Sequence, residues 1–352
     1  MNKKFLITAL TLIIIILLAF YFYTQKKSQS SNQLLKQQDK QTYQLHFGHN
    51  ISTNSAMHKA AVLFAKEVKK RSNGKVEISI HPNQELGNDH QMVEMARAGE
   101  LDILLTPTAK MSVPVPAMQF ADLPFLFPSR EDAYAVLDGE PGKKLLAKLS
   151  NIDLMGMAFW ENGFKHFTAN KSITRPEDFE GLKMRVMKSR IIMEQFKSLG
   201  AIPVPIDFHS TRQALADGVV DGQENPLVAI VSMKFYEVQS HMTLSNHAYL
   251  GYVLSFSLQS FDKLPENIKQ ILIDAVNVAT PWQRQETQKK EADFITSIKK
   301  AGVIVEELTP EQRQRFAEKT RAIADEFKLI IGADILSKTN EIIQSRQSKN
   351  GE

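Results

Sequence analysis

Apolar positions change their rhythm three times along this chain. Phe5 to Tyr23 is an apolar run entered from Lys3-Lys4 and left through the polar tract Thr24 to Gln33. From Tyr43 the pattern switches between period two and period 3.6, as expected of strands exchanging with helices. Tyr43 to Gly48 reads as a strand. Met57, Ala60, Ala61, Phe64, Ala65 and Val68 recur at helical spacing until Ser72-Asn-Gly74 stops them, and Val76, Ile78 and Ile80 alternate as the next strand. A second helix fits Asn88 to Ala98, closed by Gly99, and Leu101 to Leu105 is short and apolar like a buried strand.

Ser129 to Leu149 is helical with an interruption at Gly139-Glu-Pro-Gly142, and Asp153 to Phe159 returns as a strand. A second series runs from Lys165 through Leu182 to Val186, a helix near Ser189 to Leu199, and Ala201 to Pro205. Such βαβ units predict a largely parallel sheet with ligand sites beyond the strand C-termini, where Asn50 and Thr106-Pro-Thr108 fall. After Pro265 one stripe of Ile268, Ile271, Leu272, Ala275, Ala279 and Trp282 begins, and helix-forming composition continues to Lys300. Unbroken, such a helix would span roughly 55 Å.

The leading run approaches the ~20 residues that cross a bilayer, and it is longer than a typical signal-peptide core. Residues 1–42 are therefore expected to be an export signal or membrane anchor with a polar linker. Bulky Phe20-Tyr-Phe-Tyr23 and a weak cleavage site at Ser28-Gln-Ser30 favour an uncleaved anchor. Either outcome puts the folded part outside the cytoplasm.

A chain of 352 residues exceeds one usual compact core, so two lobes are expected. The formal charge of +4 does not indicate a nucleic-acid partner. Six lysines against Asp39 among residues 1–40 supply the excess, and the remainder holds 37 basic against 38 acidic residues. A near-neutral body lacks the footprint that phosphate binding requires. Absence of cysteine excludes disulfides, thiolate catalysis and Cys-ligated zinc.

No HExxH, GxSxG, P-loop or Rossmann glycine pattern occurs, and no cofactor is implied. His46 and His49 are three apart on a predicted strand, hence on opposite faces, and make a poor metal pair. His209 with Asp221 and Glu224 is the remaining candidate for acid–base chemistry, although loop carboxylates are more commonly solvated or capping.

The most specific feature is a series of segments. These are Gly181-Leu-Lys-Met-Arg185-Val186, Leu199-Gly200-Ala201, Val220-Asp-Gly-Gln-Glu-Asn225-Pro226 and Lys234-Phe-Tyr236-Glu237-Val238. In order and spacing this series resembles the solute-binding proteins of TRAP transporters, the DctP type, over about residues 43 to 330. The resemblance implies an α/β, two-lobe periplasmic-binding-protein-like fold with a long helix bracing both lobes. Residues 43–162 plus about 249–280 would form lobe I, and 163–248 plus about 281–346 lobe II. It implies a receptor, not an enzyme, that closes by hinge motion on a small carboxylate, best matched by a C4-dicarboxylate such as succinate, fumarate or malate. Its partners would be the sodium-coupled TRAP membrane permease subunits. The anchor-like leader adds an alternative, a tethered receptor signalling to a sensor kinase.

Strand alternation alone turns Arg185 away from the local core, as an ordinary exposed arginine. The resemblance makes it the carboxylate clamp, a role suited to a planar fork of donors that stays charged. Asn225, by itself a helix-capping residue in a turn-rich stretch, becomes the residue that orients the same carboxylate. Lys165, by itself a solvated turn lysine in Asn162-Gly-Phe-Lys165, stands where relatives often carry a second arginine, and would take a second anionic group. Asn50, Thr108, Lys110 and Phe208 match further pocket positions. Pro107 stands where sialic-acid-binding relatives carry an acidic residue, which argues against a sugar acid.

Overall fold

The computed structural model describes residues 20–21, 23–27 and 42–350. The expected signal or anchor, apart from Phe20, Tyr21 and Tyr23, lies outside the described residues. Among those described, no helix is long and apolar enough to cross a membrane.

The first half forms as the periodicity predicts. β1 (Tyr43–His49) leads into helix α1 (Ala56–Arg71), whose first turn is capped by Ser55 Oγ accepting from His58 N at 3.1 Å. Asn73 and Gly74 then take left-handed conformations, so the helix stops and the chain turns into β2 (Val76–His81). α2 (Asp89–Ala98) opens on a capping box between Asn88 and Gln91 and closes on Gly99 at φ 77°. β3 (Ile103–Pro107) follows, and β1 pairs in parallel with both β2 and β3.

The sheet as a whole is not largely parallel. Its strand order is β2-β1-β3-β9-β4-β7-β5-β6, with β8 on β4 and β10 on β8. The remaining strands are β4 (Leu154–Ala169), β5 (Lys183–Val186), β6 (Ile202–Pro205), β7 (Gly222–Pro226), β8 (His241–Leu244), β9 (Tyr249–Ser257) and β10 (Ile304–Glu307). β9 runs antiparallel to β3, and β4 antiparallel to β9, β7 and β8. Strand-to-helix periodicity located the βαβ units but was blind to these central pairings, which join residues far apart in the chain.

β4 belongs to both halves. Leu154 to Phe164 pair with β9, and Lys165 to Ala169 pair with β7 and β8. Its register shifts between Gly156 and Ala158 and again between Glu161 and Gly163, where Gly163 adopts φ 119°. Such irregularities bend and twist a strand. Glu161 pairs with Gly251 on one side, but β7 joins β4 only from Lys165 onward, and the Gln283 side chain takes the open side. Gln283 accepts from Glu161 N at 2.8 Å and donates to Glu161 O at 2.7 Å.

Gln283 lies on α7 (Glu266–Lys289), which packs on α1 and β4. The expected continuous helix is broken. The chain bends at Lys290, and α8 (Glu291–Lys300) continues against α6 (Leu227–Ser232) in the other half. At the bend Glu291 pairs with Arg130, which also donates to Glu161 at 2.6 Å. Composition favoured helix on both sides of Lys290, so only the tertiary ion pairing shows why the direction changes there. The brace is thus a pair of helices.

Between β3 and β6 lie three further helices, α3 (Arg130–Leu137), α4 (Glu140–Ala147) and α5 (Arg190–Ser198). The C-terminal helix, α9 (Ala333–Asn350), packs on α3 and α4.

Gly222 sits where β7 is squeezed between β4 and β5, and a Cβ there would meet the Thr168 carbonyl at 2.4 Å. Gly222→Ala is expected to destabilise the fold by about 1–3 kcal/mol through overpacking. Denaturant unfolding measures this, and a variant as stable as the parent would refute the crowding.

Candidate ligand-binding site

Arg185 is the second-to-last pair-forming residue of β5. Met184 and Val186 are buried in the core, and Lys183 is exposed. Alternation turns Arg185 to the opposite face, as expected, but that face is covered and the side chain is only 1% exposed. The reading of an exposed arginine is corrected here, because neighbouring chain covers what a lone strand would leave open. Nε and Nη2 both donate to Ile206 O, at 3.0 and 2.8 Å. Burial lowers its pKa to about 10 against the opposing pull of Glu224, Asp207 and Asp89. Among the described residues none of these carboxylates is close enough to pair with it. An ionised guanidinium held this far from water is costly without an anion beside it.

Asn225 is buried in β7, not in a turn, and it does not cap the following helix, whose cap residue is Pro226. The ladder sets Arg185 opposite Gln223 on a parallel strand, so Arg185, Gln223 and Asn225 share one face of the sheet. Asn225 Nδ2 donates to Gln223 Oε1 at 2.5 Å, and Gln223 in turn donates to Thr168 Oγ1 at 2.9 Å. This chain fixes the amide orientation and leaves the Asn225 carboxamide held beside the arginine row.

The other wall comes from the first half of the molecule. Asn50, just past β1, accepts from the Tyr252 hydroxyl at 3.2 Å, and its carbonyl lies 3.3 Å from His209 Nε2 of the second half. Asp89, at the start of α2, accepts from Thr106 Oγ1 at 3.2 Å and lies 4.0 Å from Lys110 Nζ. Burial raises its pKa, partly offset by Lys110 and Asn50. Asp89 Oδ2, Thr108 Oγ1 and Asn162 Oδ1 are buried without a hydrogen-bond partner. Orphaned groups of this kind are rare in a folded interior and call for an occupant. Asp89, Asn162 and Tyr252 were missed in the sequence. Asn162 lies within the motif Asn162-Gly-Phe-Lys165, whereas no local pattern marks Asp89 or Tyr252.

Lys165 is fully buried and already paired, at 2.9 Å from Glu224 Oε1 and 3.6 Å from Asp122 Oδ1. Glu224 Oε2 also meets His247 Nε2 at 2.7 Å, and Ser189 Oγ donates to Asp122 Oδ2 at 2.9 Å. The register places Lys165 and Glu224 on the sheet face opposite Arg185 and Asn225. Lys165 is therefore neither a solvated turn lysine nor a cation with unneutralised charge. Phe208 is half-buried and packs edge-on against Phe235 and His209. The acid–base candidate does not assemble: His209 faces Asn50, Asp221 accepts from Lys183 N, and Glu224 is bound to Lys165 and His247.

A family model, DctP, described as a bacterial extracellular solute-binding protein of family 7, matches residues 47–329. The chain belongs to this family. It is 35% identical over 295 residues to the C4-dicarboxylate-binding periplasmic protein DctP of Rhodobacter capsulatus, covering 83% of this chain and 89% of that one. A succinate-bound TRAP periplasmic solute-binding protein from Sulfurospirillum deleyianum superposes with TM-score 0.82 at 36% identity, over 86% of this chain and 99% of the other. The sugar-acid-binding DctPAm of Advenella mimigardefordensis, in complex with galactonate, superposes with TM-score 0.83 at 35% identity, over 87% and 99%. This DctP-type protein is thus a TRAP solute-binding protein and not an enzyme, with the two-lobe α/β fold of its relatives.

The ion network generates a pH prediction. Burial, only partly offset by Lys165 and Ser189, lifts Asp122 from 3.8 to about 6. Folding then favours the protonated carboxyl, so this group costs stability as pH rises from 3.8 to about 6. Burial also pushes Glu224 up, but Lys165 and His247 outweigh it and hold that carboxyl at about 2. Its stabilisation is complete above the ordinary 4.5 and is lost as pH falls towards 2. Asp122→Asn should remove the decline between pH 4 and 6, seen as a flatter melting-temperature profile; an unchanged profile would show that Asp122 does not titrate there.

Proposed function

We propose that the DctP-type protein is an extracytoplasmic receptor that binds a small carboxylate, preferentially a C4-dicarboxylate, and delivers it to TRAP permease subunits. The observation that carries this reading is Arg185: a buried guanidinium with no carboxylate partner among the described residues, on the same face as Asn225. Arg185 takes one carboxylate through its fork and Asn225 orients it. The second carboxylate falls to Lys110 on the opposite wall, since Lys165 is already neutralised by Glu224 and Asp122. Asn50 and Thr108 line the same wall, and Phe208 contributes an apolar side.

Charge-assisted hydrogen bonds contribute roughly 1.5–3 kcal/mol each, so a bidentate pair supplies about 3–6 kcal/mol. A micromolar complex needs about 8 kcal/mol, so the second carboxylate and lobe closure must supply the remainder. The Rhodobacter and Sulfurospirillum relatives favour the dicarboxylate class, and the galactonate-bound neighbour makes sugar acids the competing class. The anchor-like run Phe5–Tyr23 supports membrane contact through the leader and a secondary role presenting the closed form to a sensor kinase. Loss of response on deleting a kinase gene, with uptake intact, would identify that role.

Calorimetry with succinate, fumarate, malate, monocarboxylates and sugar acids tests the assignment. Arg185→Lys keeps the charge but loses the fork, and should weaken every carboxylate by about a hundredfold or more, the equivalent of ~3 kcal/mol. Lys110→Ala should weaken dicarboxylates and spare monocarboxylates. Undiminished affinity in a folded Arg185→Lys protein would sink the site, and equal losses for both ligand classes in Lys110→Ala would sink the dicarboxylate assignment.

A further inference from the structure

Helix α5 starts without the hydrogen bond that its own sequence provides for. Ser189 is its N-cap residue and has the extended backbone, φ -128° and ψ 133°, from which a serine accepts from the second or third helical N–H. Its side chain makes no such bond. Ser189 Oγ donates instead to Asp122 Oδ2 at 2.9 Å. The second helical N–H, that of Ile191, goes to Gln119 Oε1 at 3.2 Å. Gln119 and Asp122 lie on a short 3-10 helix, Pro116–Asp122, in the first half of the molecule. The helix that follows the Arg185 strand is thus capped by the opposite half.

These cross-molecule bonds are oriented and shielded. Gln119 Nε2 donates to Pro116 O at 3.0 Å, which fixes the amide with Oε1 towards Ile191. Gln119, Asp122, Ser189 and Ile191 are all buried. Ser112 Oγ, also from the first half, donates to Lys188 O at 3.3 Å beside them. Separating the two segments breaks all three contacts and takes the cap from α5. Serine is among the preferred N-cap residues, and the Ser189 backbone already has the cap conformation, so a side-chain rotation is enough to replace Gln119.

We propose that α5 exchanges caps when the halves move. With the halves together, Gln119 caps Ile191 and Ser189 holds Asp122. With them apart, Ser189 turns back and caps its own helix. The exchange gives the start of α5 two satisfied arrangements, as an element that couples two states requires. Ser189 lies four residues beyond Arg185, so the arginine strand and the first half are joined through this contact. Gln119 is therefore a positioning residue that favours the closed arrangement without touching solute. The inference rests on the receptor reading above and names a closing contact that lies outside the carboxylate site.

Pulsed electron paramagnetic resonance on the full chain, with calorimetry on succinate, tests the exchange. The chain has no cysteine, so Lys70→Cys and Val219→Cys place one spin label on an exposed position of each half. Gln119→Ala loses a bond from the closed arrangement alone. It should lower the short-distance fraction and weaken succinate binding about five- to tenfold, the equivalent of one net hydrogen bond. Ser189→Ala loses one bond from each arrangement, so its distances should match the parent's and its affinity stay within about threefold. Each variant keeps one cap, so both should fold. An unchanged short-distance fraction in Gln119→Ala would overturn the proposal. So would a loss in Ser189→Ala as large as that in Gln119→Ala, which marks a rigid latch without exchange. A parent whose distances ignore succinate counts against the carboxylate assignment, and the label distances of the variants still decide the exchange.

Discussion

One strand serving two half-sheets is the constraint on which the architecture rests. β4 must satisfy its backbone against β9 over its first part and against β7 and β8 over its last. The change of partners cannot occur in a flat ladder, and it takes place at the irregularity from Glu161 to Gly163. Gln283 reaches in from α7 to satisfy both backbone groups of Glu161, and Arg130 ties the Glu161 side chain to Glu291 at the start of α8. The bend of the brace and the bulge of the strand are thus two sides of one junction.

Charge burial defines the second level of organisation. Lys165, Glu224 and Asp122 are all taken out of water, and such a set is tolerable only because its members neutralise one another. His247 adds a hydrogen bond to Glu224 while its ring lies 4.0 Å over Phe167, which joins the network to the apolar core. Arg185 is the contrasting case on the other sheet face. Its partners are one carbonyl and distant carboxylates, and across from it lie the orphaned oxygens of Asp89, Thr108 and Asn162. Orphaned buried oxygens facing an unpaired buried cation are the polar arrangement on which the proposed carboxylate site rests.

The alternation of apolar positions was enough to locate the βαβ units, the stops at Gly74 and Gly99, and the opposed faces of Met184 and Arg185, because these depend on local geometry with periods of two and 3.6. The motif run drew attention to Arg185 and Asn225, and the fold sets both on one buried sheet face. Tertiary structure alone decided that the centre of the sheet is antiparallel and that the brace bends at Lys290. It also decided that Lys165 is spent in an internal ion network, and that Asp89, Asn162 and Tyr252 stand on the facing wall. The physical reason is the same each time: burial, charge neutralisation and strand pairing join residues far apart in the chain, and no local pattern of polarity records which distant group will arrive to cover, pair with or orphan a side chain.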